Sequence, residues 1–217
     1  MRRFIIGAGI CTFLVCSGTA LHGQSNPLNL WTGIGLEKGL GKKWEISLNQ
    51  EWRLTEREDP NEFLLEGAVS FEPVKYLELG ARYRFACHMD QENGHEFTHQ
   101  MAFDVRGKYK YDRFKFQLRT RLTNYSDLEI GEYLVNPYLR YRFKMEYDIK
   151  GVSLFPMCSM ELFHQLDDRE INKLRYSLGL EYRINKSNRL ELKYHLQDYL
   201  KKDYYRNIIS LQYKFLF

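Results

Sequence analysis

Basic residues recurring at alternate positions are the feature of this chain with the clearest chemical meaning. Arg82 and Arg84, Arg119 and Arg121, and Arg140 and Arg142 are each two residues apart, joined by Arg106, Lys108, Lys115 and Lys144, with only Glu78, Asp104 and Glu146 among them. On an extended chain, side chains two apart share a face. If these faces line a common lumen, Arg82, Arg84, Arg106, Arg119, Arg121, Arg140 and Arg142 form one basic wall. Glu45, Glu51, Glu66 and Glu72 form an acidic wall opposite, with Glu161, Glu181 and Glu191 farther round. Such walls have two uses. Unpaired, the cations concentrate anions; paired with the carboxylates, they close into a lattice of ion pairs.

Other reactive groups are weaker candidates. A lipid hydrolase at a membrane edge needs a serine activated by a histidine that a third group orients. His164 follows Glu161 by three residues, and His99 and Ser126 lie near strand ends, yet no motif links them. His195, beside Glu191 and Lys193, reads as a structural histidine on a polar face. His88, Asp90, Glu92, His95, Glu96 and His99 offer metal-binding side chains, but their spacing matches no established motif, and a solvated loop is the preferred reading. There is no glycine-rich phosphate cradle and no nucleic-acid signature. The expectation is a protein that is not an enzyme and uses no metal or cofactor, with no nucleic-acid partner.

Composition narrows the class. The 32 Lys and Arg against 28 Asp and Glu leave a formal net charge of +4, which excludes a polybasic coat and an acidic tail. With 15% aromatic residues, including 16 Tyr and 14 Phe against 5 Pro, the chain must fold. The mean hydropathy is -0.52. Beyond the N-terminus no run approaches the ~18 apolar residues of a helical membrane span, although a barrel strand hides its apolar residues at alternate positions.

Residues 1–23 read as a cleaved export signal. Met1-Arg2-Arg3 is the positive start, residues 4–15 are an apolar core, and small residues follow, so that the mature chain starts near Leu21 or Gln24. Phe13-Leu14-Val15 lacks the small residue a lipidated Cys16 would need. Cys11 and Cys16 leave with the signal, and Cys87 and Cys158 are too few for a disulfide framework.

Period-two alternation runs through the rest of the chain. In 173–184, Leu174, Tyr176, Leu178, Leu180, Tyr182 and Ile184 take one face and Lys173, Arg175, Ser177, Gly179, Glu181 and Arg183 the other. The same pattern marks 44–55, 63–72, 76–89, 97–109, 114–125, 133–147, 152–166, 189–200 and 207–217. Residues 24–43 hold only a weak first strand, 30–38. Short turns alternate with longer polar loops, which predicts an all-β, up-and-down antiparallel transmembrane β-barrel over 44–217. About ten strands are expected, with the first segment partial or inside the barrel, and twelve as the runner-up. An even count would put both termini at one rim.

Alternation leaves open which face looks outward: a soluble lipocalin-like barrel would enclose the apolar face around a hydrophobic ligand. Long strands and charges crowded on one face favour lipid on the other. The last strand, with Tyr213, Phe215 and the terminal Phe217, resembles the C-terminal insertion signal of bacterial outer-membrane proteins. Trp44, Trp52, Tyr109, Tyr125, Tyr133, Tyr147 and Tyr199 suit aromatic girdles. Gly41-Lys42-Lys43-Trp44, Trp52-Arg53-Leu54, Tyr83-Arg84-Phe85, Tyr141-Arg142-Phe143 and the aromatic C-terminus together resemble the bacterial outer-membrane barrels grouped as domain of unknown function 2490 (DUF2490). The resemblance implies the cell outer membrane as location and carries no activity. Its expected partners are outer-membrane lipids and, during insertion, the barrel-assembly machinery. The preferred reading is a charge-plugged barrel with a structural or surface-interaction role. A small anion-favouring pore, a periplasmic lipocalin-like lipid binder and a membrane-edge lipid hydrolase are the alternatives.

Overall fold

Among the described residues the alternating segments become eleven strands of one closed barrel. They are β1 (Leu28–Leu40), β2 (Trp44–Leu54), β3 (Asn61–Val74), β4 (Leu77–Asp90), β5 (Gly94–Tyr111), β6 (Phe114–Thr123), β7 (Tyr138–Tyr147), β8 (Leu154–Gln165), β9 (Glu170–Arg183), β10 (Asn188–Tyr199) and β11 (Tyr204–Leu216). The computed structural model describes residues 28–55, 61–90, 94–124, 137–167, 169–202 and 204–217. The export signal, Tyr125, Ser126 and Tyr133 lie outside the described residues.

Each strand pairs antiparallel with its neighbour in sequence, and β1 closes the barrel by pairing in parallel with β11. This corrects two expectations. The strand count is eleven rather than ten or twelve, and the weak first segment is a full wall strand, Leu28–Leu40. Every hairpin reverses direction, so an odd count leaves first and last strands parallel. Leu28 therefore starts at the rim of the longer loops, whereas Phe217 ends at the rim of the short turns, where its N–H donates to the Glu37 carbonyl at 2.9 Å. The weak alternation of β1 has a local cause: Gly33, Gly35 and Gly39 supply no side chain to mark a face. At Gly33 space requires this, because an added Cβ would lie 2.6 Å from the Gln50 carbonyl oxygen of β2.

A direct check of the parallel seam is available from the register, in which Ile34 faces Tyr213. With the other cysteines replaced by serine, Ile34→Cys with Tyr213→Cys is expected to oxidise to a disulfide, since paired Cα atoms fall within the roughly 4.4–6.8 Å a disulfide spans. The mismatched pair Ile34→Cys with Ile209→Cys is expected to stay reduced. Equal cross-linking of the two pairs on non-reducing gels would rule the closure out.

The wall has opposite polarity on its two faces. Ile34, Phe103, Leu118, Leu178 and Leu192 point outward and are 53%, 61%, 57%, 60% and 51% exposed. Inward lie Glu62, Glu66, Asp104, Arg119, Arg121, Arg140, Glu161, Arg175 and Glu191, all buried. Aromatic pairs sit near both ends of the outer face: Trp44 with Phe71 and Phe114 with Tyr147 toward the short turns, Trp52 with Phe63 and Phe85 with Phe97 toward the long loops. Tyr199 is a correction to the girdle expectation, because its odd position on β10 turns it into the lumen, where it is buried.

Candidate functional site

The candidate site is the lumen, and register explains its contents. Across β5, β6 and β7, Arg106 faces Arg119 and Arg119 faces Arg142, while Arg121 faces Arg140. Like charges directly opposite repel, so each guanidinium needs a carboxylate near it. Asp104 of β5 serves three: it accepts from Arg82 at 2.7 Å, from Arg121 at 2.6 and 3.0 Å, and from Arg106 at 3.1 Å. Glu161 of β8 accepts from Arg119 and from Arg140, the latter at 3.1 Å, with Arg175 at 4.0 Å. Arg106 also donates to Glu78. Two carboxylates thus tie together six arginines.

The acidic wall is used differently from a facing wall. Glu66 bonds Arg82 at 2.7 Å and Arg84 at 2.8 Å, both from the adjacent strand β4. Glu51 accepts from Arg53 of its own strand at 2.7 Å and from Gln212 at 3.1 Å. Glu72 meets Lys108 at 2.7 Å near the short-turn rim, and Glu45, also near that rim, is exposed and has no ion pair among the described residues. Pairs form between neighbours in the wall because adjacent strands run only about 4.8 Å apart, whereas a charge across the bore is several strand spacings away.

The lumen narrows toward the long-loop rim, a feature not read from the alternation above. Trp31, Tyr138, Phe163, Tyr199 and Ile208 point inward there and are 8%, 2%, 1%, 5% and 0% exposed. Cations lie against these rings: Arg53 is 4.2 Å from the Trp31 centroid, Arg140 is 4.5 Å from Phe163, and Lys173 is 5.0 Å from both Phe163 and Tyr199. Each such contact contributes about 0.5–2 kcal/mol, more when dry. The Tyr138 hydroxyl donates to Gln165 at 3.2 Å, and Arg175 donates to Gln197 at 2.9 Å. Beside Phe163 a register shift carries β9 past one residue. The signal that could have found this plug was the parity of Trp31, Phe163 and Tyr199 along their strands.

Below the plug is a cavity of about 350 Å3 lined by twelve basic and six acidic side chains. Its walls grade from deep residues such as Arg121, 5% exposed, to Glu45, which is exposed at the short-turn rim. The cavity is a basic vestibule with its mouth at that rim.

The histidines separate by face. His195 is inward, with Ser177 Oγ 2.7 Å from Nδ1 and the Trp31 ring tilted against it, centroids 5.8 Å apart. No carboxylate orients this pair among the described residues. His99 and His164 point outward, against Tyr83 and Tyr141 respectively. His88 is inward, 3.4 Å from Glu62. Of the set weighed for metal binding, Glu92 and the Asp90 side chain lie outside what is described, and His88 and His99 stand on opposite faces of the wall; among the described residues no group of three or more His, Cys, Asp and Glu could hold a metal. Cys87 and Cys158 are free thiols on β4 and β8. At the C-terminus Phe215 packs edge-on to Phe217 at 4.7 Å, and Tyr213 donates to Asn188.

Fold and lumen define a class: a closed all-β barrel with an apolar exterior and an ion-paired interior. The chain belongs to the family described as protein of unknown function (DUF2490), whose model matches residues 28–203. Comparison with curated proteins finds no match.

Proposed function

We propose that this protein is an integral barrel of the outer membrane that does not conduct, and that it acts as a structural or surface-interaction protein through its longer loops. The observation that carries the reading is the inside-out polarity of the wall. A soluble barrel would leave Phe103, Leu118 and Leu178 in water; lipid outside removes that cost, while the buried charges pair with one another inside the wall. Dimensions agree. Trp44 and Trp52 are eight residues apart, roughly 26 Å along a strand, or about 20 Å along the axis at a tilt of about 40°, close to the ~25 Å apolar band of such barrels. The charged lumen offers no apolar chamber for a lipocalin-type ligand. Export by residues 1–23 and insertion through Tyr213, Phe215 and Phe217 belong to the same reading, with outer-membrane lipids and the barrel-assembly machinery as partners.

Closure of the lumen supports silence. Ions would have to pass Trp31, Phe163 and Tyr199, whose rings clamp the cations of the plug. The protein is also read as no enzyme, since no described carboxylate orients the Ser177–His195 pair.

In planar bilayers the full-length protein is expected to show no stable openings, and removal of the plug by Trp31→Ala with Phe163→Ala is expected to produce stepwise conductance. Stable openings of the unaltered protein would replace this reading with the pore. Recovery of the protein in the soluble fraction after carbonate washing would remove the membrane altogether.

A further inference from the structure

Three lumen arginines are left with more hydrogen-bonding capacity than the protein satisfies. Arg106, Arg119 and Arg142 stand directly opposite one another on β5, β6 and β7. Each lines the vestibule. Each also has a buried Nε with no hydrogen-bond partner among the described residues. Arg119 is 5% exposed, so this N–H is not left to bulk water. For Arg142 the deficit is larger: its hydrogen bond goes to a neutral group, Gln117 Oε1 at 3.3 Å, and no described carboxylate pairs with it.

Asp104 has no acceptor site left to make up the difference, and Glu161 reaches none of the three Nε groups. A carboxylate has about four lone-pair sites, and Asp104 already accepts four N–H bonds from Arg82, Arg106 and Arg121. Glu161 is shared by Arg119 and Arg140, with Arg175 close by. An unpartnered buried donor on a charged group is costly. Three such donors in a row, in a lining with twice as many cations as anions, call for a negative charge between them.

We propose that the row Arg106, Arg119 and Arg142 binds a phosphate group in the vestibule. Guanidinium groups pair with phosphate through short, charge-assisted bonds, and a tetrahedral oxyanion presents acceptors to three donors at once. Room is sufficient: about 350 Å3 is on the order of ten water volumes at ~30 Å3 each. The mouth lies at the short-turn rim, so on the outer-membrane reading the phosphate arrives from the periplasm; binding itself does not depend on that reading. Inorganic phosphate and the end group of a small organic phosphate share the required chemistry.

The test is calorimetric titration of the full-length protein, folded in detergent, with inorganic phosphate, glycerol phosphate and acetate at fixed ionic strength. Saturable binding of one or both phosphates, about tenfold or more tighter than acetate, is expected. Arg142→Gln is expected to weaken it by about tenfold or more while leaving the folded, heat-modifiable gel mobility intact. Arg142→Lys, which keeps the charge but loses the fork, is expected to fall between. Equal binding of both phosphates assigns the site to a terminal phosphate group; binding of inorganic phosphate alone assigns it to the free ion. No saturable phosphate binding by the folded unaltered protein overturns the proposal, as does unchanged binding in a folded Arg142→Gln variant. A soluble protein that binds phosphate would refute the membrane reading and leave this site standing.

Discussion

Leu178→Arg is expected to destabilise the protein by about 2–4 kcal/mol in lipid bilayers. Leu178 sits at the middle of β9, points outward, is 60% exposed, and lies between Tyr194 and Cys158 on the flanking strands. In water such a position is ordinary surface, where a substitution changes stability by about 0.5 kcal/mol or less. In hydrocarbon the guanidinium must distort the bilayer or reach for its edge, and the cost is greatest at mid-depth. Ile184, 52% exposed beyond the end of β9 at the short-turn rim, provides the depth control. Ile184→Arg is expected to cost about 0–1 kcal/mol, because its head reaches the interface. Denaturant unfolding from liposomes measures both. Similar small costs at the two positions would mean that the outer face does not meet lipid.

Asp104→Asn is expected to cost about 3–5 kcal/mol, the usual effect of breaking a buried ion pair by removing one partner. The Asp104 side chain is 1% exposed and accepts from three guanidiniums. Arg82 would keep Glu66 and Arg106 would keep Glu78, but every described carboxylate contact of Arg121 is to Asp104. The substitution therefore strands a buried charge on β6 that faces Arg140 across the ladder. Glu45→Gln, at an exposed carboxylate with no described ion pair, is expected to shift the unfolding midpoint little. An unchanged slope with a lowered midpoint for Asp104→Asn would assign the loss to stability rather than to compactness. A neutral Asp104→Asn would mean that the lumen charges are hydrated and that the lattice holds nothing together.

Strand positions and faces were legible because they depend on a period of two, which is local to each stretch of chain. The set Leu174 to Ile184 faces outward and its partners inward as alternation requires, and the described strand ends fall within a few residues of those read from the pattern. The arginine wall was legible for the same reason: Arg119 and Arg121, or Arg140 and Arg142, share a face in any extended conformation. The histidine set looked like one cluster because it is short in sequence, yet His88 and His99 occupy opposite parities, and that parity was available to be read.

What one strand does to another was not legible. Alternation says nothing about register, so it could not tell that Arg119 would stand opposite both Arg106 and Arg142, or that Asp104 would gather three guanidiniums. Nor does it say how many strands close a barrel. β1 looked weak because its glycines carry no side chain, and only closure onto β11 made it part of the wall and swung Trp31 into the plug beside Arg53 and Arg175. Faces follow from the geometry of a single extended chain; partners, closure and the shape of the lumen follow from how eleven such chains curve round to meet, a long-range property that no local period encodes.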